Sequence, residues 1–261
     1  MNKKAVLITG ACINTGVAIV EKFASEGYNV IFTGRNSEKV HAKENEYRKK
    51  FPSITVIGYH IDSLTDERTV DEESVNKMFA DIDRRGLFVE TLVLNAADQG
   101  LGQKIFEISL ADFMKVLNTN IVWNYCLSEY AAKRMKDNGG GNIVFVNSNT
   151  AYRAIPDRIA YEASKGGQLG MMRGLALDLG KYNIRVNAVL PGMIKTDRWE
   201  KNPEFYAKVP SRYTPIGDVA VGEDIADAVY YFAAHARNTT GAELVVDGGN
   251  TIQLYPIIPQ N

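Results

Sequence analysis

Short apolar runs alternate with longer amphipathic stretches along almost the whole chain. The runs are rich in β-branched residues and predict strands at residues 5–8, 29–33, 55–59, 91–94, 142–147, 185–189 and 243–246. The stretches between them predict helices at residues 16–26, 36–50, 72–85, 110–136, 160–181 and 223–235. Several strands are apolar without alternation, as is typical of strands buried on both faces. The pattern therefore predicts an α/β fold, a doubly wound parallel sheet with helices on both faces.

The segment at residues 196–215 interrupts this alternation. It is rich in proline and aromatic residues and lies between the sixth predicted strand and the last predicted helix. Long connections at the carboxyl end of a strand often cover a bound ligand. We therefore expect a substrate-covering lid at about 196–215. The length also fits two small domains, but no repeat or linker divides the chain, so we expect a single domain over residues 1–261.

Charge and composition narrow the possible partners. The 30 Lys+Arg against 31 Asp+Glu give a net charge of −1, so no basic excess is present for a nucleic acid. The balanced charge and the 10% of aromatic residues argue against disorder. The three histidines are scattered without metal-ligand spacing, and we expect no metal site.

The expected compartment follows from the cysteines and from the N-terminus. Two cysteines, Cys12 and Cys126, suit a reducing environment better than a disulfide framework. The first apolar run is too short for a signal peptide, and no run of apolar residues is long enough to cross a membrane. We therefore expect a cytoplasmic protein with no membrane partner.

A glycine turn follows the first predicted strand and opens the first predicted helix. It runs from Thr9 to Gly16 and contains Gly10. Backbone N–H groups at such a helix start, together with the helix dipole, bind phosphate groups well. An ordinary strand–helix turn is the alternative interpretation.

The second predicted strand ends in Gly34 and Arg35. Enzymes that bind a free ribose 2′-hydroxyl usually carry Asp or Glu at this place. Here no carboxylate repels a 2′-phosphate, and Arg35 can bind one, which favours NADP. Alternatively, Arg35 is a solvated residue at a helix start. We expect Asp62 and Ser63, after the third strand, to contact the adenine end, although Asp62 also suits a turn.

Four polar residues indicate acid–base chemistry. Tyr161 and Lys165 are four residues apart on a predicted helix and share one face. A nearby ammonium lowers the pKa of a phenol toward working pH. Ser148 ends a strand, where it faces the ligand crevice, and Asn120 lies in a helical stretch and can hold a water near Lys165. Taken singly, each has an ordinary structural explanation.

The chain resembles the short-chain dehydrogenase/reductase family over residues 5–249. Residues 9–16 match its glycine turn, 94–97 its Asn-Asn-Ala-Gly segment, 191–196 its Pro-Gly-x3-Thr segment and 247–249 its Asp-Gly-Gly ending. Its catalytic Asn, Ser, Tyr and Lys fall on Asn120, Ser148, Tyr161 and Lys165. The resemblance implies a seven-stranded Rossmann-type domain and a homotetramer or dimer.

The resemblance also implies roles for the matched residues. Tyr161 exchanges a proton with the substrate oxygen, Ser148 donates a hydrogen bond to it, and Lys165 binds the nicotinamide ribose. Asn120 anchors a proton-relay water. Besides Tyr161 and Lys165, the implied cofactor contacts are Gly10, Asn14, Thr15, Gly16, Asn95, Ala96, Pro191, Gly192, Ile194 and Thr196.

Two departures from the family pattern affect the cofactor. Asn14 replaces the middle glycine of the turn, and asparagine tolerates a left-handed backbone best after glycine. Ile13 stands where NADP-dependent members often carry a basic residue. The missing basic residue weakens the preference for NADP(H) that Gly34 and Arg35 indicate, so we expect NADP(H) to be favoured, with NAD(H) possible.

The function expected from these features is reversible hydride transfer between NADP(H) and a secondary alcohol or ketone. We expect Ser148, Arg153, Tyr161, Met193 and Trp199 to shape the substrate pocket. Two alternatives stay open: an NAD-preferring sugar or hydroxysteroid dehydrogenase of the same family, and a non-catalytic nucleotide-sensing protein of the same fold.

Overall fold

Seven parallel strands form one sheet in the computed structural model, which describes residues 3–256. The strands are β1 (Lys3–Ile8), β2 (Asn29–Gly34), β3 (Val56–His60), β4 (Leu87–Leu94), β5 (Gly141–Val146), β6 (Ile184–Pro191) and β7 (Glu243–Val246). Their order across the sheet is β3-β2-β1-β4-β5-β6-β7. The order reverses beside β1, because the chain runs outward through β2 and β3 and then crosses back to β4. This confirms the predicted doubly wound parallel sheet.

Ten α-helices lie between the strands in the part of the chain that the structure describes. They are α1 (Asn14–Ser25), α2 (Ser37–Lys50), α3 (Glu72–Arg84), α4 (Leu110–Leu117), α5 (Trp123–Asp137), α6 (Ile159–Leu179), α7 (Asp197–Lys201), α8 (Pro203–Tyr206), α9 (Val209–Tyr213) and α10 (Gly222–Tyr230). None of the helices within residues 3–256 is long and apolar enough to span a bilayer.

The helices bury both faces of the sheet. Along β1, Val6 and Ile8 pack under α1, α2 and α10, whereas Leu7 packs on the opposite face under α3, α5 and α6. All three side chains are fully buried. Successive side chains of a strand point to opposite faces, so a strand covered on both sides needs apolar residues throughout. Each such side chain stabilises the fold by about 1.5–3 kcal/mol.

Three predicted regions differ in detail from the structure. The predicted helix at residues 223–235 ends in a π-helical turn, Tyr231–His235. The predicted helix at residues 110–136 is divided into α4 and α5 by a π-helical turn, Asn118–Val122. The segment at 196–215 forms the three short helices α7, α8 and α9. Its role as a lid stays a prediction, and so does the assignment of the whole chain to a single domain.

Candidate active site

The glycine turn after β1 brings two backbone segments very close together. Gly10 has a φ of 65°, and a Cβ added to Gly16 would lie 2.4 Å from the Gly10 carbonyl oxygen. Asn14 has a φ of 46°, so it adopts the left-handed conformation predicted for it. The first residue before α1, Ile13, is extended and provides no side-chain cap. The first N–H groups of α1 therefore remain available to a phosphate.

Thr9 and Asn95 hold this turn in place. The Thr9 hydroxyl accepts hydrogen bonds of 3.0 Å from the backbone N–H groups of Asn95 and Ala96. The Asn95 side-chain amide donates to the carbonyl oxygens of Thr9 at 3.0 Å and Gly10 at 3.1 Å. Asn95, at the end of β4, thus fixes the turn through its side chain, a function that sequence reasoning did not assign to it.

Positive charge lies beside the end of β2. Gly34 packs against Cys12, since a Cβ added there would lie 2.6 Å from the Cys12 sulfur. Arg35 and Lys39 are exposed next to this contact. The ammonium groups of Lys43 and Lys39 act to lower the pKa of the Cys12 thiol, although burial outweighs them and raises it. At least two cations thus lie within electrostatic reach of this end of the glycine turn.

The two residues predicted at the adenine end have different surroundings. Asp62 is exposed just after β3. The Ser63 hydroxyl lies 3.1 Å from the Thr119 hydroxyl and shares a hydrogen bond with it. Asp62 is thus open to a ligand, and Ser63 is tied to the π-helical turn.

The segment that follows β6 leads into one wall of a cleft beside the start of α1. Pro191 ends the strand, and Gly192 packs so closely on Asp247 that an added Cβ would lie 2.5 Å from its side chain. Ile194 pairs with Ala220 ahead of α10. The cleft has a volume of about 290 Å³, and its lining includes Asn14, Thr15 and Thr196. Residues predicted to bind cofactor therefore line both sides of one cleft.

Ser148, Tyr161 and Lys165 meet at the carboxyl edge of β5. Ser148 follows β5, whereas Tyr161 and Lys165 lie on α6. Ser148 lies close enough to the Tyr161 hydroxyl to act on its pKa. The Lys165 amine lies 5.5 Å from the centre of the Tyr161 ring and donates to the Val146 carbonyl at 3.0 Å. The structure therefore brings these three predicted residues together at one sheet edge.

The electrostatics differ from the expectation that Lys165 lowers the pKa of Tyr161. Burial raises the pKa of the Tyr161 hydroxyl above its usual value, and the nearby Ser148 hydroxyl and the charge of Arg158 oppose that rise. Burial also lowers the pKa of Lys165 from 10.5 to about 7. The lysine is 1% exposed, and desolvation disfavours its charged form. A lysine that loses its proton this easily has little charge to offer the phenol above neutral pH.

Asn120, in the π-helical turn, is fully buried and its polar groups are occupied. Its amide donates to the Asp98 carbonyl at 2.8 Å and to the Ser164 hydroxyl at 2.9 Å, and its side-chain oxygen accepts from the Asp98 N–H at 2.8 Å. Its backbone carbonyl accepts from the Gln168 amide at 2.6 Å. Asn120 therefore anchors neighbouring segments, and the water predicted beside it would compete with Gln168.

Sequence reasoning missed three polar residues of this network: Asn147, Ser164 and Gln168. Each is buried. Asn147 donates to the Lys165 carbonyl at 3.0 Å, and Ser164 donates to the Tyr161 carbonyl at 2.6 Å. One signal in the sequence could have found them. Each is an amide or hydroxyl side chain at a position that the predicted fold buries close to the tyrosine and the lysine.

Three residues predicted for the substrate pocket have specific surroundings. Arg153 donates to the carbonyl oxygens of Asn250 at 2.8 Å and Thr251 at 3.1 Å, in the C-terminal segment. The Trp199 indole donates to the Ile194 carbonyl at 3.1 Å and stacks on Tyr206 with 4.6 Å between ring centres. Met193 is half-buried at the end of β6. Their contact with substrate stays a prediction.

The residues present fit a nicotinamide dinucleotide. A cradle that a Cβ would fill lies at the glycine turn, cations lie at its outer end, and a neighbouring tyrosine and serine lie at the other end of the same sheet edge. Fold and site together define an oxidoreductase of the Rossmann type.

Comparison with known proteins identifies the family. A family model described as Enoyl-(Acyl carrier protein) reductase matches residues 10–251. The NADP-dependent (R)-specific alcohol dehydrogenase of Lentilactobacillus kefiri is 32% identical over 257 residues, which cover 96% of this chain and 97% of that protein. The chain belongs to the short-chain dehydrogenase/reductase family.

Two solved structures show the same architecture. A 7α-hydroxysteroid dehydrogenase complexed with NADH and 7-oxo glycochenodeoxycholic acid has a TM-score of 0.83 at 30% identity, over 95% of this chain and 93% of its own. L-sorbose reductase from Gluconobacter frateurii, complexed with NADPH and L-sorbose, has a TM-score of 0.87 at 25% identity, over 97% and 98%. The protein is therefore an oxidoreductase of a family whose members bind NAD(H) or NADP(H) and act on alcohol groups.

Proposed function

We propose that the protein catalyses reversible hydride transfer between NADP(H) and a secondary alcohol or ketone, with Tyr161 as the proton donor and acceptor. The observation that supports this proposal is that Tyr161 and Ser148 come together at the carboxyl edge of β5, with the Lys165 amine 5.5 Å from the centre of the tyrosine ring. A hydroxyl pair of this kind can bind one carbonyl oxygen from two sides.

Each residue has a distinct task in this proposal. The bound nicotinamide supplies or accepts the hydride. Tyr161 donates its proton to the substrate oxygen during reduction and takes it back during oxidation. Ser148 donates a hydrogen bond to the same oxygen as negative charge develops there. Lys165, which donates to the Val146 carbonyl, would hold the nicotinamide ribose through an N–H group that is still unused.

The preference for NADP(H) rests on charge. Arg35 and Lys39 are exposed beside the end of β2, and Gly34 places no carboxylate there. A 2′-phosphate gains charge-assisted hydrogen bonds from such cations. The comparisons include proteins that use each cofactor, an NADP-dependent alcohol dehydrogenase and a hydroxysteroid dehydrogenase with NADH. An NAD-preferring enzyme is therefore the alternative to be tested.

The substrate class is proposed as a small molecule with a secondary alcohol or ketone. The similar structures contain a bile-acid derivative and L-sorbose, so steroids and sugars form the natural test panel. We also propose a homotetramer or dimer, because Leu110 and Leu177 are 77% and 83% exposed on α4 and α6.

Substitution of Tyr161 by Phe tests the reaction. Tyr161→Phe removes the proton donor and is expected to lower kcat by about a hundredfold or more, while binding of the nicotinamide cofactor, followed by fluorescence, is retained. Tyr231→Phe alters an exposed tyrosine outside the site and serves as the control. Full turnover by Tyr161→Phe would contradict the assignment. Failure of the unmodified protein to turn over any carbonyl compound would favour a nucleotide sensor.

A further inference from the structure

Gln168 lies one helical turn after Lys165 and joins three parts of the site. It is 1% exposed. Its side-chain oxygen accepts from the Lys165 amine at 3.2 Å and from the Asn147 amide at 3.1 Å. Its side-chain nitrogen donates to the Asn120 carbonyl at 2.6 Å. One buried amide therefore links α6, the end of β5 and the π-helical turn.

The first consequence concerns the orientation of Lys165. An ammonium has three N–H donors in a rotating group. Two acceptors, the Val146 carbonyl and the Gln168 oxygen, fix two of these directions. The third N–H group of the Lys165 ammonium then points in one fixed direction, away from both acceptors. Without Gln168, the amine could rotate about its single bond to Val146.

The second consequence concerns the Asn120 carbonyl. A carbonyl oxygen has two lone pairs. One accepts from Gln168 at 2.6 Å, and the other accepts from the Asn124 amide at 2.9 Å. Both acceptor positions are occupied, so the carbonyl has no site left for a relay water. A side-chain amide does not ionise near neutral pH, and its donor and acceptor are different atoms. It therefore cannot pass a proton onward as water does.

We propose that Gln168 is a positioning residue for the reaction of Tyr161: it orients the Lys165 amine and takes the place of a relay water between Lys165 and Asn120. This inference rests on the proposed function. Proton exchange at Tyr161 then follows a route that does not pass through Asn120, and the lysine acts through its orientation.

Two substitutions separate the contacts of Gln168. Gln168→Leu keeps the approximate size of the side chain and removes its hydrogen bonds to Lys165, Asn147 and Asn120. Gln168→Glu keeps the acceptor for Lys165 and removes the donor to Asn120. We expect Gln168→Leu to lower kcat by about tenfold, the value of one hydrogen bond to a charged group, with a smaller change in KM for the ketone. Gln168→Glu is expected to retain more activity and to shift the pH profile, because its carboxylate stabilises the charged form of Lys165.

A second measurement does not depend on turnover. NMR of the lysine side-chain Cε carbon reports the titration of Lys165, and Lys165→Met identifies its signal. In the absence of substrate, Gln168→Leu is expected to lower the pH at which Lys165 titrates, and Gln168→Glu is expected to raise it. Met172 is a fully buried apolar residue one turn further along α6. Met172→Leu therefore serves as the control for altered packing.

The solvent isotope effect on the rate tests whether a relay water is absent between Lys165 and Asn120. With Gln168 in place, the rate is expected to vary linearly with the fraction of D2O, as for one proton in transfer. Gln168→Ala opens space beside the Asn120 carbonyl and is expected to produce a curved dependence. A curved dependence in the unmodified protein, or an unchanged kcat, pH profile and lysine titration in both Gln168→Leu and Gln168→Glu, would overturn the inference. If no carbonyl compound is turned over, the proposed function fails, and the lysine titration still tests the contact.

Discussion

The Lys165 amine lies 5.5 Å from the centre of the Tyr161 ring and donates to the Val146 carbonyl and the Gln168 side-chain oxygen. The lysine is thus close enough to influence the phenol, yet its hydrogen bonds are directed elsewhere. Burial raises the pKa of Tyr161 and lowers that of Lys165 to about 7. At neutral pH the tyrosine therefore keeps its proton and is ready to act as an acid.

The protonation state of Tyr161 predicts opposite pH dependences for the two directions of the reaction. Reduction of a ketone needs the protonated phenol, so its kcat is expected to stay level through neutral pH and to fall as pH rises toward the raised pKa of Tyr161. Oxidation of an alcohol needs the phenolate, so its kcat is expected to rise over the same alkaline range. Steady-state rates from pH 6 to 10 measure both.

Ser148→Ala provides the matched control for this prediction. The Ser148 hydroxyl acts to lower the pKa of Tyr161, so its removal is expected to move the rise in oxidation to higher pH. Parallel pH profiles for oxidation and reduction would show that another group controls the proton transfer.

Burial of Lys165 predicts a pH-dependent effect on stability. The lysine has a pKa of about 7 in the folded protein against 10.5 ordinarily. Between these values the unfolded chain binds one more proton, so the free energy of unfolding rises with pH. The penalty for burying the charge is full below pH 7 and absent above 10.5. Lys165→Met lacks this penalty, so its Tm relative to the unmodified protein is expected to fall from pH 6.5 to 9.5.

The size of that change follows from the pKa difference. Each pKa unit corresponds to about 1.4 kcal/mol, and 1 kcal/mol shifts Tm by roughly 2–4 °C in a chain of this size. The relative Tm is therefore expected to change by several degrees, measured by calorimetry. In Lys165→Met the Val146 carbonyl and the Gln168 oxygen lose their hydrogen-bond donor. That loss lowers the stability of the variant equally at every pH, so it does not affect the trend. Lys136→Met, on an exposed lysine, should show no trend.

The fold follows from local patterns, and most of it could be predicted. Residues 5–8 are apolar without alternation because both faces of β1 are covered, which indicates a parallel sheet. The division of the predicted helix at 110–136 could not be predicted. The amphipathic pattern continues through Asn118–Val122, and the contacts that hold this turn, from Asn120 to Ser164 and from Gln168 to Asn120, join residues 44 and 48 positions apart.

The part of the site that depends on local structure could also be predicted. Tyr161 and Lys165 are neighbours on one helix, and Ser148 ends a strand at the crevice, so their proximity follows from local structure. The partners of Asn120 and Lys165 are set by packing between β5, α6 and the π-helical turn. The direction of the Tyr161 pKa shift depends on burial, which outweighs the charges in the finished structure.

Arg35 is predicted to distinguish the two cofactors. Loss of a charge-assisted contact to a 2′-phosphate costs about 1.5–3 kcal/mol, so Arg35→Ala is expected to raise the KM for NADPH by roughly tenfold to a hundredfold. The KM for NADH is expected to change little. A double variant with Lys39→Ala should enlarge the difference, and added salt should reduce it.

Lys49→Ala is the control, because Lys49 is exposed near the opposite end of α2. Equal effects on both cofactors would place Arg35 at a shared part of the nucleotide. No effect on NADPH, together with tighter binding of NADH by the unmodified protein, would contradict the preference for NADP(H).

Arg153 is predicted to stabilise the C-terminal segment. Its guanidinium donates to the carbonyl oxygens of Asn250 and Thr251 and to that of Gln253. Arg153→Ala removes these donors, so peptides covering residues 249–253 are expected to exchange backbone hydrogens faster, as measured by mass spectrometry. Arg153→Lys keeps the charge and should restore part of the protection, because an ammonium lacks the planar set of donors.

The same pair of variants separates this role from contact with substrate. If Arg153 acts only on the C-terminal segment, kcat/KM for an uncharged ketone and for one that carries a carboxylate should change by the same factor. A guanidinium that binds substrate would instead lower kcat/KM selectively for the carboxylate, since a lost ionic contact affects only the charged compound. Selective loss with unchanged hydrogen exchange would place Arg153 in the substrate pocket, because the segment at 250–253 would then be held without it.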